Sequence, residues 1–332
     1  MKGRLSAPDF IKGLAIMLMV YGHIASIGNA IEIHRKSIDL IYTFHMPLFL
    51  LTSGYFLNFM DDKLKEQITK QFRNVFVPYL IFITIYLLAL IFVFKFVHIT
   101  TSNTPPITVY DFFYTVFLHP LGGYWFLHSI FIISAIFLVN NFIFPIKKDS
   151  NLFLLSLWLS FFIASFFLKL VLIKTCFYFF MGFILSRFSL LKMKSHTLML
   201  VVGVAVIFFI YISKGDIRNF TFYQILWCWG IFTVLWATAS KMEKTLVINV
   251  FSWIGRNTLV ILVLHTFFLL IFKFLKSPFL VIDNSGFLYY FAATICTVLL
   301  SMLSAKLFDY LKLSRFLFFK DSIYSKYKIE HG

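Results

Sequence analysis

Residues 9–28 read DFIKGLAIMLMVYGHIASIG, an apolar run whose only charged or imidazole side chains are Asp9, Lys12 and His23. Twenty residues at about 1.5 Å each cover roughly 30 Å as a helix, the thickness of a bilayer's hydrocarbon core. The rest of the chain repeats this character. Of 332 residues, 60% are hydrophobic and 13% charged, and the mean hydropathy is +0.88. A soluble domain is about half apolar and a quarter charged, so this chain cannot clothe itself in polar surface. Soluble, disordered and fibrous classes are excluded.

Ten apolar segments follow one another, at 9–28, 38–59, 74–94, 121–140, 151–168, 170–189, 198–212, 220–240, 250–272 and 286–305. They predict an all-α integral membrane bundle of about ten transmembrane helices, a single domain over 1–332 with no attached soluble domain. Segments five and six almost fuse around Lys169 to Lys174, which predicts a tight turn there. Segment 198–212 is short and reads as tilted or thinly embedded. The longest polar connection, 95–120 with Pro105-Pro106, is a candidate outer loop.

A net charge of +16 would point to nucleic acid in a soluble chain. Here membrane topology explains it, because cytoplasmic loops collect Lys and Arg. With the N-terminus inside, the tails and even-numbered loops carry nineteen basic residues, and the odd-numbered loops nine. This predicts both termini in the cytoplasm, lipid as the surrounding medium and no nucleic-acid partner. Cys176, Cys228 and Cys296 stand singly, so neither a disulfide framework nor a metal site is expected. Lys2 and Arg4 ahead of an apolar run imitate a signal peptide, but Lys12 and His23 have a spacing that argues for a retained span.

Ionisable residues within spans are the default functional candidates of a membrane protein. Lys12 and His23 are eleven residues apart, about three turns, so both face one way and lie roughly 16 Å apart along the axis. A cation near the cytoplasmic surface and a deep imidazole can hold the two ends of a long ligand. The plainer alternative is a snorkelling lysine with a buried, hydrogen-bonded histidine. His45 opens the second segment, His128 stands at the outer start of the fourth and His265 lies about 15 residues into the ninth. All fall in the outer half with His23, opposite Lys12, Arg73 and Arg256 on the inner side. His128 and His265 read equally well as structural. His265 stands nine residues from Arg256, two and a half turns, and so on the opposite face of a continuous helix.

These residues resemble the membrane acyltransferase family 3. Lys12 to His23 matches its Arg/Lys-x10-His signature. Asp9-Phe10-Ile11-Lys12-Gly13, Phe44-His45-Met46-Pro47-Leu48-Phe49, Ser53-Gly54-Tyr55 and Arg73 before Pro78-Tyr79 follow in the family's order. Tyr124-Trp125-Phe126-Leu127 and Ile254-Gly255-Arg256-Asn257-Thr258 with His265 continue it along nearly the whole chain. Around His23 and His45 the likeness is to the sugar O-acetylase branch related to fucose acetylases. One departure is Lys70-Gln71-Phe72-Arg73, where many members carry Arg-x-x-Arg. An ammonium binds phosphate as a point charge rather than a fork, so Arg73 carries over and Lys70 does not.

The resemblance implies transfer of an acyl group, by default acetyl, from cytoplasmic acetyl-coenzyme A. The acceptor would be a hydroxyl of a cell-envelope polysaccharide (O-antigen, capsule or exopolysaccharide) or of a lipid-linked sugar, at a bacterial cytoplasmic (inner) membrane. In that reading Lys12, Arg73 and Arg256 hold the coenzyme phosphates, and His23 is general base or nucleophile. His45 or Trp125 stabilises the oxyanion or positions the acceptor. No intramembrane carboxylate stands at an obvious spacing to orient His23. A transporter or flippase of a lipid-linked glycan is the main rival, and a non-catalytic membrane subunit a second. Repeats or helices broken in matching halves would favour the transporter, and the sequence displays neither. Cysteine-accessibility labelling should mark loop 95–120 from outside and segment 315–330 only after permeabilisation. External labelling of 315–330 would reverse the donor and acceptor faces.

Overall fold

In hydrocarbon, every backbone N–H and C=O must be paired within the protein, and a helix does this locally. The computed structural model describes residues 6–57, 64–96, 104–145, 150–187 and 196–326, and within them the ordered elements are all helical. In chain order they are α1 (Ser6–Gly22), α2 (Ile31–Ile41), α3 (His45–Tyr55) and α4 (Leu64–Gln71), which passes through a π-helical turn, Phe72–Phe76, into α5 (Val77–Phe96). Then come α6 (Val109–Phe117), α7 (Tyr124–Ile143), α8 (Ser150–Phe162) with its own π-helical end at Ile163–Phe167, α9 (Ile173–Arg187) and α10 (His196–Ser213). The series closes with α11 (Phe222–Lys241), α12 (Leu246–Arg256), α13 (Thr258–Phe274), α14 (Lys276–Ile282), α15 (Phe287–Tyr310) and α16 (Ser314–Leu317).

Each of the ten apolar segments contributes helix among the described residues, but they are not ten equal rods. Among the described residues six helices are long and apolar enough to cross a membrane: Thr69–Phe96, Tyr124–Ile143, Ser150–Phe167, His196–Ser213, Phe222–Lys241 and Phe287–Tyr310. α12 and α13 make a seventh if taken together, bent by 79°. Among the described residues, the apolar segments in α1, α3 and α9 form helices of 17, 11 and 15 residues, where a straight crossing takes roughly 20.

Four boundaries differ from the sequence reading, each for a visible reason. The segment 9–28 stops being helical at Gly22, whose carbonyl accepts the Tyr42 hydroxyl at 2.8 Å. The chain beyond it pairs instead with the α14–α15 loop, Asn29 N–H to the Asn284 carbonyl and Ala30 N–H to that of Ser285. The segment 38–59 splits, because α2 is a separate surface helix carrying an exposed Glu32–Lys36 pair. The segment 250–272 breaks at the buried Asn257, whose amide donates to the carbonyls of Trp253 and Ser325 and accepts from the Ser325 N–H. α10 is a full 18 residues, so 198–212 is not short. The expected tight turn falls at 168–172, with Lys169 at φ +51°. Residues 58–59, 188–189 and 97–103 of the expected spans and outer loop lie outside the described residues, as do Lys2, Arg4, Lys63, Lys147, Lys148, Lys192, Lys194 and Lys328.

Two helix crossings organise the interior, and both are made by glycines. α1 meets α12 where a Cβ on Gly13 would collide with the Phe251 carbonyl and one on Gly255 with the Asp9 carbonyl. α3 meets α9 the same way, Gly54 against the Phe179 carbonyl and Gly182 against that of Leu51. With no hydrophobic drive between helices in lipid, backbone-to-backbone approach of this kind supplies the packing energy. Gly54→Ala and Gly182→Ala should each destabilise the protein by about 1–3 kcal/mol, the range for overpacking a tight contact. Thermal unfolding in detergent would show it as a lowered midpoint. The exposed Val202→Ala should leave that midpoint unchanged, and equal midpoints for all three would refute the crossing.

Candidate active site

α1 delivers His23 to a cavity. The His23 N–H still bonds the Met19 and Val20 carbonyls, so its side chain keeps the helical register of Lys12. Tyr42 closes the α1 terminus and its ring occupies the space that a Cβ on Gly22 would need. His23, one residue beyond the end of α1, is exposed and lines a cavity of about 230 Å³. The lining comes from five places: Met19 and His23, the Tyr42–Leu50 turn and helix, Gly123 to Phe126, Lys174 to Tyr178, and Gln224. Pockets for drug-sized ligands run from about 300 Å³ upward, so this one suits a single small ring or a short chain.

The turn that carries His45 is held from α11. Gln224 Nε2 donates to the Thr43 carbonyl at 3.3 Å, Trp227 Nε1 to the Thr43 hydroxyl at 2.9 Å, and Cys228 Sγ to the same carbonyl at 3.4 Å. His45 Nδ1 lies 2.8 Å from the Ile41 carbonyl. A carbonyl only accepts, so Nδ1 carries the proton and Nε2 keeps its lone pair in the neutral ring. The Tyr42 ring lies between the imidazoles, 6.5 Å from that of His23 and 5.1 Å from that of His45. Trp125 forms another wall of the same cavity. His23, His45 and Trp125, three segments apart in sequence, therefore share one site.

Lys12, Arg73 and Arg256 are not in that lining. Lys12 Nζ sits 4.1 Å from the centre of the Phe56 ring, at the far end of α3. Lys12 and Arg256 adjoin the two glycines of the α1–α12 crossing, which brings their backbones to one level. Arg73 stands over the Phe319 ring at 5.0 Å, and Phe319 belongs to a strap that leads from α16 to Ser325 at the Asn257 break. Asp309 anchors this strap by accepting from Ser314, Ser322, Ile323 and Tyr324. The strap adds a cation that sequence reading passed over. Lys320 lies close enough to Lys70 that burial and this like charge push its ammonium down from the ordinary lysine range. None of the three expected cations lines the cavity that holds His23 and His45.

The other two histidines part company. His128 Nε2 bonds the Phe117 carbonyl at 2.8 Å and its ring lies against Tyr79, so it ties α7 to α6 and takes no part in the cavity. His265 is fully buried, its ring 5.5 Å from that of His23. The 79° bend at Asn257 removes the continuous helix on which an opposite-face placement of Arg256 and His265 depends. Tyr42, Gly123, Lys174 and Gln224 were not singled out in the sequence. Only Gln224, a polar residue opening an apolar run, carried any local signal.

A family model described as an acyltransferase domain, that of acyltransferase family 3, matches residues 5–306. No curated protein and no solved structure matches the chain.

Proposed function

The chain belongs to acyltransferase family 3 and is a multi-pass membrane acyltransferase, and from this premise we propose that it carries an acetyl group from cytoplasmic acetyl-coenzyme A to a sugar hydroxyl of the cell envelope. The acceptor is a surface polysaccharide or a lipid-linked sugar, and the enzyme sits in a bacterial cytoplasmic membrane. One observation carries the reading: an imidazole open to a small cavity stands about three helical turns, roughly 16 Å, from a cation on the same face of α1. An acyl donor that is charged at one end and reactive at the other needs such a separation.

Lys12, Arg73 and Arg256 take the coenzyme phosphates, with Lys70 and Lys320 adding positive potential nearby. The pantetheine arm lies along α1, and the thioester reaches His23. As general base, His23 takes the acceptor's hydroxyl proton while the oxygen attacks the thioester carbonyl, then returns that proton to the departing thiolate. As nucleophile it first accepts the acyl group on nitrogen, which rapid acid quench would trap as an acyl-histidine. His45 and Trp125 present the acceptor, the indole offering both a face for the sugar and an N–H for the oxyanion. A flippase reading gains nothing from the break at Asn257, since α12–α13 is the single pair bent in this way among the described residues. Mass spectrometry of surface glycans with and without the gene would report acyl group and acceptor together. Unchanged glycans would overturn the assignment.

Replacement of the two α1 residues should separate chemistry from binding. General acid–base groups contribute about 10²–10⁴-fold in rate, so His23→Ala should abolish measurable transfer with donor affinity nearly intact. Lys12→Ala removes a charge-assisted contact worth about 1.5–3 kcal/mol. It should weaken donor binding roughly 10- to 100-fold, a loss that excess donor partly overcomes, and Lys12→Arg should retain much of the activity. Calorimetric donor titration beside a transfer assay reads both. Normal transfer by folded His23→Ala would remove His23 from the chemistry.

At the acceptor side, His45→Ala and Trp125→Ala should impair glycan modification while acetyl-coenzyme A still binds. Full transfer by both folded variants would assign them to packing alone.

A further inference from the structure

Among the histidines that the reaction outlined above leaves unused, one lies beside His23. His265 lies in α13 and is fully buried. Its Nδ1 lies 2.8 Å from the Leu262 carbonyl and 3.2 Å from that of Ile261. Carbonyls only accept, so the ring proton is on Nδ1 and Nε2 bears a lone pair. That Nε2 is buried with no hydrogen-bond partner among the described residues. A native protein rarely strands a buried acceptor without a use for it.

The neighbourhood shows what the lone pair is for. The His23 ring centre is 5.5 Å from that of His265, with the planes 36° apart. A Cβ on Gly123 would lie 2.7 Å from His265 Cε1 and 3.1 Å from Nε2, so this edge of the ring keeps its place because residue 123 has no side chain. Gly123 itself lines the cavity on which His23 opens. The lone pair is therefore held at the back of the His23 site, on a ring whose other nitrogen is already committed. Among the described residues, no carboxylate lines that site. Asp9, on the same helix as His23, is fourteen residues away at the α12 crossing, about 21 Å along the axis.

We propose that His265 is the positioning residue of His23: its Nε2 accepts one N–H of the His23 imidazole, so that the other His23 nitrogen presents its lone pair to the cavity. The proposal requires the His23 ring, 5.5 Å away between centres, to turn an N–H toward that Nε2. This deepens the acyl-transfer reading and rests on it for its effect on rate, whereas the choice of tautomer is a property of the resting protein. In the transfer step the acceptor O–H bond breaks as its oxygen bonds the thioester carbonyl carbon, and the proton passes to the cavity-facing His23 nitrogen. When the tetrahedral intermediate collapses, the C–S bond breaks and the thiolate takes that proton. His265 keeps its own Nδ1 proton throughout and acts as a neutral acceptor from the His23 imidazolium. A neutral partner suits this depth, since a buried carboxylate in an apolar bundle carries a far larger desolvation cost.

The test is nitrogen NMR of ¹⁵N-histidine-labelled full-length protein in lipid nanodiscs, run beside steady-state transfer kinetics on the wild type and three variants. Wild-type His23 should show one neutral tautomer. His265→Leu removes the acceptor, and His265→Asn keeps a donor for the Leu262 carbonyl but is too short to reach His23. Both should give mixed His23 tautomers and a kcat lower by on the order of 10²-fold, with the KM values for donor and acceptor unchanged. His265→Gln places an acceptor oxygen near the position of Nε2 and should restore a single tautomer and most of kcat. If His265→Leu does not fold, the Asn and Gln pair decides alone. An unchanged His23 tautomer across the variants, or wild-type kcat in the Leu or Asn variant, overturns the proposal. Absence of acyl transfer by the wild type would refute the enzyme reading, while the tautomer spectra would still decide the role of His265.

Discussion

The close approach of helix backbones at Gly13–Gly255 and Gly54–Gly182 is the contact on which the rest of this protein depends. Lipid tails are as apolar as leucine, so burying another leucine between two membrane helices brings little, whereas removing side chains altogether lets carbonyls and Cα atoms meet. The first crossing fixes α1, which carries Lys12 and His23, against α12, which carries Arg256. The second fixes α3, which carries His45, against α9, which brings Lys174 to the cavity rim. All of these polar residues ride on helices set by four positions with no side chain.

Around the cavity the bundle departs from simple rods, and each departure satisfies a backbone group that lipid would leave bare. Tyr42 donates to the last carbonyl of α1, Thr43 is pinned by three donors from α11, and His45 spends its Nδ1 proton on Ile41. At the other end Asn257 and Ser325 share two hydrogen bonds across the α12–α13 break, and the Asn257 amide also donates to the Trp253 carbonyl. Irregular backbone at membrane depth is tolerated where protein or a cavity surrounds it, and both breaks are of that kind. Outside the spans the same economy is ordinary. The Thr108 hydroxyl and N–H bond Asp111 in a capping box at the start of α6 and hold its carboxyl below the usual aspartate range.

The candidate site residues occupy different parts of the bundle. Two imidazoles, His23 and His45, line the cavity. Lys174 reaches the cavity rim, whereas Lys12 and Arg73 stand outside the lining, each resting over an aromatic face. Such cation–π seats offset part of the desolvation of a partly buried cation while leaving N–H donors at its edge. The strap from Phe319 to Ser325 links the cationic regions around Arg73 and Arg256, so it shapes the donor side in the proposed reaction.

The sequence by itself determined the class of this protein, because apolar content and segment length are summed along the chain and need no partner. It also suggested the Lys12–His23 relation, since helical register, which the His23 N–H keeps one residue past the end of α1, sets both angle and separation. Its family signature was equally local, and the match over residues 5–306 bears it out. Tertiary structure decided the rest. The stops at Gly22 and Asn257 depend on Tyr42 and Ser325, which lie 20 and 68 residues away, so no local pattern announces them. His45 and Trp125 join His23 only through the packing of α3 and α7, and Gln224 reaches the site because α11 clamps Thr43. His128 and His265 look alike in sequence, each a lone histidine in an apolar run. One turns to the Phe117 carbonyl and the other sets its unpaired nitrogen behind His23, a distinction made by the neighbours each helix meets.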